Sequence, residues 1–134
     1  MQEKGTRITA HNFHFESYSI LPDVLFFGKY RVLSDKAKLL YCKLSQRVRV
    51  ALELGWLNER GEVYIKVKRA TMKYILNTSN QTLQNAYTQL EEIGLIDIHK
   101  GAKNTIDEVY ILLPDKIELT AEEVELSDER ILDI

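Results

Sequence analysis

Apolar residues recur at spacings of three and four along much of this chain. After Ser34, the residues Ala37, Leu40, Tyr41, Leu44, Val48, Ala51 and Leu52 form one stripe, the mark of an amphipathic helix. Lys36, Lys38, Lys43, Arg47 and Arg49 fall on its other sides. Ser34 is a good N-cap, Asp35 suits the positive helix end, and Gly55 suits a left-handed C-cap. A second stripe, Leu83, Ala86, Tyr87, Leu90 and Ile93, predicts a helix over residues 79–93, capped by Ser79 or Asn80 and ended by Gly94. Before it, Met72, Ile75 and Leu76 predict the inward side of a short helix over residues 69–76. Asn77, Thr78 and Ser79 between the two are turn chemistry.

Elsewhere the period is two. Phe13 and Phe15 alternate with Asn12, His14 and Glu16, so residues 8–20 read as extended. Pro22 fits the first turn of a short helix through Leu25 and Phe26, broken by Gly28. Residues 56–67 read as a hairpin about the turn Asn58-Glu59-Arg60-Gly61. Residues 95–98 and 108–113 read as two strands joined by a polar loop, with Pro114 as the stop. Thr120 and Glu123 have capping-box spacing, which predicts a short acidic helix or a frayed linker. The order helix, strand, helix, turn, helix, strand, loop, strand describes a winged helix-turn-helix. The expected fold is therefore α+β, mainly α. It divides into an extended N-terminal arm (residues 1–20), the winged domain (21–114) and an acidic tail or linker (115–134).

Composition narrows the class. A chain of 134 residues with 45% hydrophobic residues suits one domain plus extensions. Its single cysteine excludes an internal disulfide framework. No run approaches the roughly 18 apolar residues of a membrane span, and the first residues lack a signal-peptide core, so a cytoplasmic protein is expected. The net charge of −2 conceals a division. From Asp115 onward eight acids face two bases, a net of −6, which leaves sixteen bases against twelve acids, or +4, in residues 1–114. Residues 63–90 hold no Asp or Glu, yet contain Lys66, Lys68, Arg69 and Lys73. A basic surface without acids is what a polyanion requires.

The second motif helix adds the means of choosing a sequence. Opposite its apolar stripe lie Gln81, Asn85 and Thr88, with Gln84 beside them. Asn and Gln can pair with the adenine edge, and Thr can meet a thymine methyl. These four are the expected base contacts. Charge returns only at Glu91 and Glu92. Lys66, Lys68, Arg69, Thr71 and Lys73 are expected on the DNA backbone. Ser79 and Asn80 join them at the helix N-terminus, and Lys100, Lys103 and Asn104 in the wing. Phe13 and Phe15 have two readings, an extra layer of core or a dimer surface.

Catalysis finds no constellation, so no enzyme, cofactor or metal is expected. Cys42 sits in a helix without a His or Asn partner and reads as a packing residue. His11 and His14 lack a second ligand pair, and no phosphate-cradling glycine loop occurs.

Four segments then resemble a known family: LPDVLF (residues 21–26), SDKAKLLY (34–41), GWLNERGEVYI (55–65) and LEEIGLI (90–96). Together they resemble the N-terminal domain of RepA-type plasmid replication initiators of Gram-positive bacteria, over roughly residues 15–113. The resemblance implies a winged helix that binds repeated double-stranded DNA in the plasmid origin, within the initiator's own gene, and dimerises. It implies host replication proteins as partners through a separate C-terminal domain, to which nothing here is similar; the chain then reads as one domain of a longer initiator. The family's binding helix aligns with residues 79–93 and its wing with residues 96–111. Individual base-reading residues do not carry over, because these are the positions expected to differ between plasmids. Two other functions fit the same surface: a winged-helix transcriptional regulator, and a winged-helix protein-interaction module that does not bind DNA.

Overall fold

The computed structural model describes residues 5–14, 19–101, 106–115 and 119–127. Helix α1 (Asp35–Leu54) is the central element, packed against the two motif helices and the sheet. Its ends close as the end residues require. The Ser34 hydroxyl accepts the Ala37 amide at 3.1 Å, and Gly55 takes the left-handed conformation at φ 72°. After the turn at Asn58 and Gly61 comes strand β1 (Tyr64–Lys66), followed by α2 (Arg69–Leu76) and α3 (Asn80–Glu92). Strands β2 (Ile96–His99) and β3 (Glu108–Ile111) form the wing, and α4 (Ala121–Ser127) follows. The three strands are antiparallel in the order β1-β3-β2, so the last strand lies in the middle. The fold is α+β, mainly α: a winged helix-turn-helix.

One core serves all of this. Leu40, Leu44 and Ala51 of α1 meet Met72 and Leu76 of α2, Leu83, Ala86, Tyr87 and Leu90 of α3, and Ile65, Ile96 and Val109 of the sheet. Two 3-10 turns, Asp23–Phe26 and Gly28–Val32, add Leu25 and Tyr30, both buried. Two polar links fix the frame. The Gln89 side-chain carbonyl of α3 accepts the Ser34 amide at 2.9 Å, and the Tyr41 hydroxyl donates to the Leu112 carbonyl at 2.9 Å. In the tail, Thr120 and Glu123 form the reciprocal capping box expected of α4.

Several expectations need correction. The strand expected over residues 8–20 is absent from its described part. There, the Thr9 hydroxyl accepts the His11 and Asn12 amides, and Asn12 Oδ1 accepts the Thr9 amide. Such local side-chain bonds compete with a strand ladder. Phe13 is half-buried, and Phe15 lies outside the described residues. The first short helix ends at Phe26, ahead of Gly28, which at φ 56° begins a second 3-10 turn that the sequence pattern does not show. Leu52 is 57% exposed and Ile75 39% exposed. At about 100° per residue, Leu52 lies roughly 80° from Leu44, and Ile75 roughly 100° from Leu76, outside the buried stripes. The hairpin over residues 56–67 forms about the turn Asn58–Gly61 but is short, with Leu57 bridging Val63 and the Tyr64 amide donating to the Trp56 carbonyl at 3.2 Å, and β1 takes β3 as a further partner. The last strand stops at Ile111; the Leu112 carbonyl is held by Tyr41 instead.

Burial raises the Tyr41 and Tyr87 hydroxyls above the usual phenol range. The folded chain thus holds these protons more tightly than the unfolded chain does. Stability should be unaffected by these groups up to about pH 10 and fall as pH rises through their raised values. Denaturant midpoints measured across that range, with Tyr41→Phe and Tyr87→Phe for comparison, check this; each variant should show a shallower alkaline loss.

Candidate nucleic-acid interface

The two motif helices meet through three residues. Asn77 ends α2 in the left-handed region at φ 47°, which Asn tolerates better than most side chains. Lys36 of α1 donates to the Leu76 carbonyl at 2.7 Å, which anchors that end of α2 to the core. Ser79 then opens α3; its hydroxyl oxygen accepts the Thr82 amide at 3.1 Å. Asn80, the first residue of α3, is exposed beside it.

Burying Leu83, Ala86, Tyr87 and Leu90 turns the opposite side of α3 outward. Gln81, Gln84 and Asn85 are exposed there, and Thr88 is half-buried at the edge. The four pair along the helix at i, i+4. Gln81 Nε2 donates to Asn85 Oδ1 at 2.9 Å, and Gln84 Nε2 donates to Thr88 Oγ1 at 3.1 Å. Arg69, half-buried at the start of α2, donates to Gln84 Oε1 at 2.6 Å, and its guanidinium carbon stands 4.2 Å from the Tyr87 ring centre. Burial raises the Tyr87 hydroxyl most; the Arg69 charge opposes this and Asp107 adds to it.

The expected cations differ in setting. Lys68, the N-cap residue of α2, is exposed, whereas Thr71 and Lys73 are half-buried. Lys73 lines a shallow groove of about 560 Å³ with Ala70, Tyr74, Asn77 and Thr78. Tyr74 is 86% exposed there and was not singled out from the sequence. Its signal was available: an aromatic residue off the line of Met72 and Leu76. Lys66 is exposed, and its amine stands over the rings of Trp56 and Tyr64. In the wing Lys100 is exposed; Lys103 and Asn104 lie outside the described residues.

The acid-free stretch of sequence is not acid-free in space. Glu108 of β3 pairs directly with Lys66 on one side and His99 on the other. His99 Nε2 also lies 3.0 Å from Asp97 Oδ2. The outer face of the sheet is thus a mixed-charge, aromatic surface, with Tyr110 against both Tyr64 and His99. Lys68 and Lys73, by contrast, form no ion pair among the described residues. Among the described residues no group of three or more His, Cys, Asp or Glu could hold a metal ion, and no helix is long and apolar enough to cross a membrane. Cys42 is buried, its sulfur 3.2 Å from the Ile20 carbonyl oxygen.

Helix, turn, helix and wing in this order define the winged-helix class. Within it, residues 17–129 match the family described as replication initiator protein A (RepA) N-terminus, and the chain belongs to that family. Comparison with curated proteins gives no match. Among solved structures, the fold is similar to the N-terminal domain of a DNA-binding protein, with a TM-score of 0.76 and 22% identity over 96% of this chain and 99% of that one. It is similar to the protein of a Rep–DNA complex, again with a TM-score of 0.76 and 22% identity, over 96% of this chain and 100% of that one. A third structure, of an MDR initiator, gives a TM-score of 0.73 and 24% identity over 91% of this chain and 98% of that one.

The start of α3 depends on one side chain. Ser79→Ala should cost about 1 kcal/mol and fray the first turn. Hydrogen exchange should show lost protection at the Thr82 amide, with the Leu90 amide little changed.

Proposed function

We propose that this domain binds double-stranded DNA sequence-specifically at plasmid origin repeats and thereby initiates plasmid replication. The reading is carried by one observation. The second helix of a helix-turn-helix, in a replication-initiator family, turns Gln81, Gln84 and Asn85 outward with Thr88 at their edge, flanked by Lys68 and Lys73. Uncharged amides and a hydroxyl suit base edges in the major groove, and the neighbouring cations suit phosphates. A solved relative in fold is a Rep–DNA complex, which supports the same use of this fold.

In this proposal α3 enters the major groove, and Gln81, Gln84, Asn85 and Thr88 contact bases. Lys66, Lys68, Thr71, Lys73, Ser79 and Asn80 approach the backbone, joined from the wing by Lys100, Lys103 and Asn104. Lys66 contributes less than Lys68, because Glu108 lies opposite it. The domain acts by binding rather than by catalysis. It works as a homodimer whose second copy is met by the N-terminal arm (residues 1–20, with Phe13 and Phe15). Residues 115–134 lead towards a C-terminal domain that engages host replication proteins.

A gel shift at varied salt, on the protein's own coding-region DNA against random duplex, tests the proposal. Tight, salt-sensitive binding to coding-region repeats is the expected result. Preference for a promoter operator would point to a transcriptional regulator. Failure to bind any duplex at any salt would point to a protein-interaction module. Two variants test the surface. Asn85→Ala should weaken the specific complex by roughly 1–3 kcal/mol. Lys68→Ala should weaken all duplexes alike and lower the salt slope by about one. Unchanged binding by both would remove α3 and the start of α2 from the interface.

A further inference from the structure

We propose that Arg69 is a positioning residue for sequence choice: it holds Gln84 in the one orientation that reads adenine, and does not itself bind phosphate. This rests on the DNA-binding reading above and makes one part of it specific. A guanidinium carries only donors. Arg69 therefore donates to Gln84 only where the Gln84 carbonyl oxygen faces α2, at 2.6 Å. The amide nitrogen must then point along α3, where Thr88 Oγ1 receives it at 3.1 Å. Thr88 could donate or accept, so Arg69 alone decides the direction: the amide cannot flip without losing the Arg69 bond. Arg69 is held in turn by the buried face of Tyr87, 4.2 Å from the guanidinium carbon.

The fixed amide keeps one free hydrogen on Nε2 and one free lone pair on Oε1. That donor and acceptor match adenine N7 and N6 in the major groove. Guanine presents acceptors at both N7 and O6, so Gln84 Oε1 would meet an acceptor and reject it. The Gln81–Asn85 pair differs. Each partner is an amide with both a donor and an acceptor, and among the described residues no donor-only group sets their direction. That pair can reverse to suit either base, whereas Gln84 cannot. Arg69 is also unlike Lys68, which is exposed at the N-cap without a side-chain capping bond.

The test uses the coding-region site and a panel in which each A·T pair is changed to G·C. Parent protein should lose affinity at one pair that Gln84→Ala no longer distinguishes. Arg69→Met and Arg69→Gln should both lose discrimination at that same pair, by roughly ten- to a hundred-fold, because neither places a donor-only group against Gln84. Neither should lower the salt slope, and random-duplex affinity should hold. The double variant Arg69→Met with Gln84→Ala should be no worse than Gln84→Ala alone, because Arg69 acts through Gln84. Thermal melts establish folding; should Arg69→Met unfold, Arg69→Gln keeps a polar side chain there and carries the same readout. A salt slope lowered by about one in Arg69→Met, with discrimination intact, would show a phosphate contact and overturn the proposal. So would independent, additive losses in the double variant. Failure of the parent to bind any duplex would overturn the DNA-binding reading itself, and this assignment with it.

Discussion

Everything at the candidate interface depends on burying one side of α3 against α1. Leu83, Ala86, Tyr87 and Leu90 enter a core with Leu40 and Leu44, and a helix with that stripe buried has only one side left for function. The rotation of α3 is further pinned by Gln89, which receives the Ser34 amide and so ties α3 to the cap of α1. Exposed amides on a helix that could roll would address no fixed register. Here the hydrophobic packing sets the angle, and the Ser34–Gln89 and Arg69–Gln84 bonds secure it.

The same burial organises the polar layer. Tyr87 offers one ring face to Arg69, and Arg69 reaches Gln84, which reaches Thr88. Core and surface are thus joined by side-chain contacts rather than separated. Each bond is modest, but a side chain held at both ends loses little rotamer freedom when it meets a partner. The cations divide on the same logic. Lys68 projects at the α2 N-cap, Lys73 borders a groove beside Tyr74, and Arg69 is committed within the domain.

Much of the fold was legible along the chain. The caps of α1 at Ser34 and Gly55, the stripe of α3, the turn at Asn77 and the capping box of Thr120 and Glu123 are local devices, and each appears where the residues place it. Structure departs from the local pattern where a partner is distant or where an apolar residue lies at the edge of a stripe. The alternation at Phe13 gave no strand in residues 5–14, where Thr9 and Asn12 satisfy the backbone instead. Leu52 and Ile75 fell outside buried stripes to which periodicity alone had assigned them. β1 kept its short hairpin contact and also took β3, about forty residues later, and strand pairing at that distance carries no local signal.

The acid-free stretch, residues 63–90, shows the division most clearly. Sequence by itself determined that these residues carry bases early and amides late, and that the amides share one side of a helix. Those are consequences of composition and of the helical period, which act within a few turns of chain. Only the tertiary structure decided that Glu108 would face Lys66, that Arg69 would face Gln84 and Tyr87, and that Tyr74 would stand exposed beside Lys73. These relations depend on sheet order and on how α2 crosses α3. Both follow from packing one core among elements far apart in the chain, and no local pattern records them.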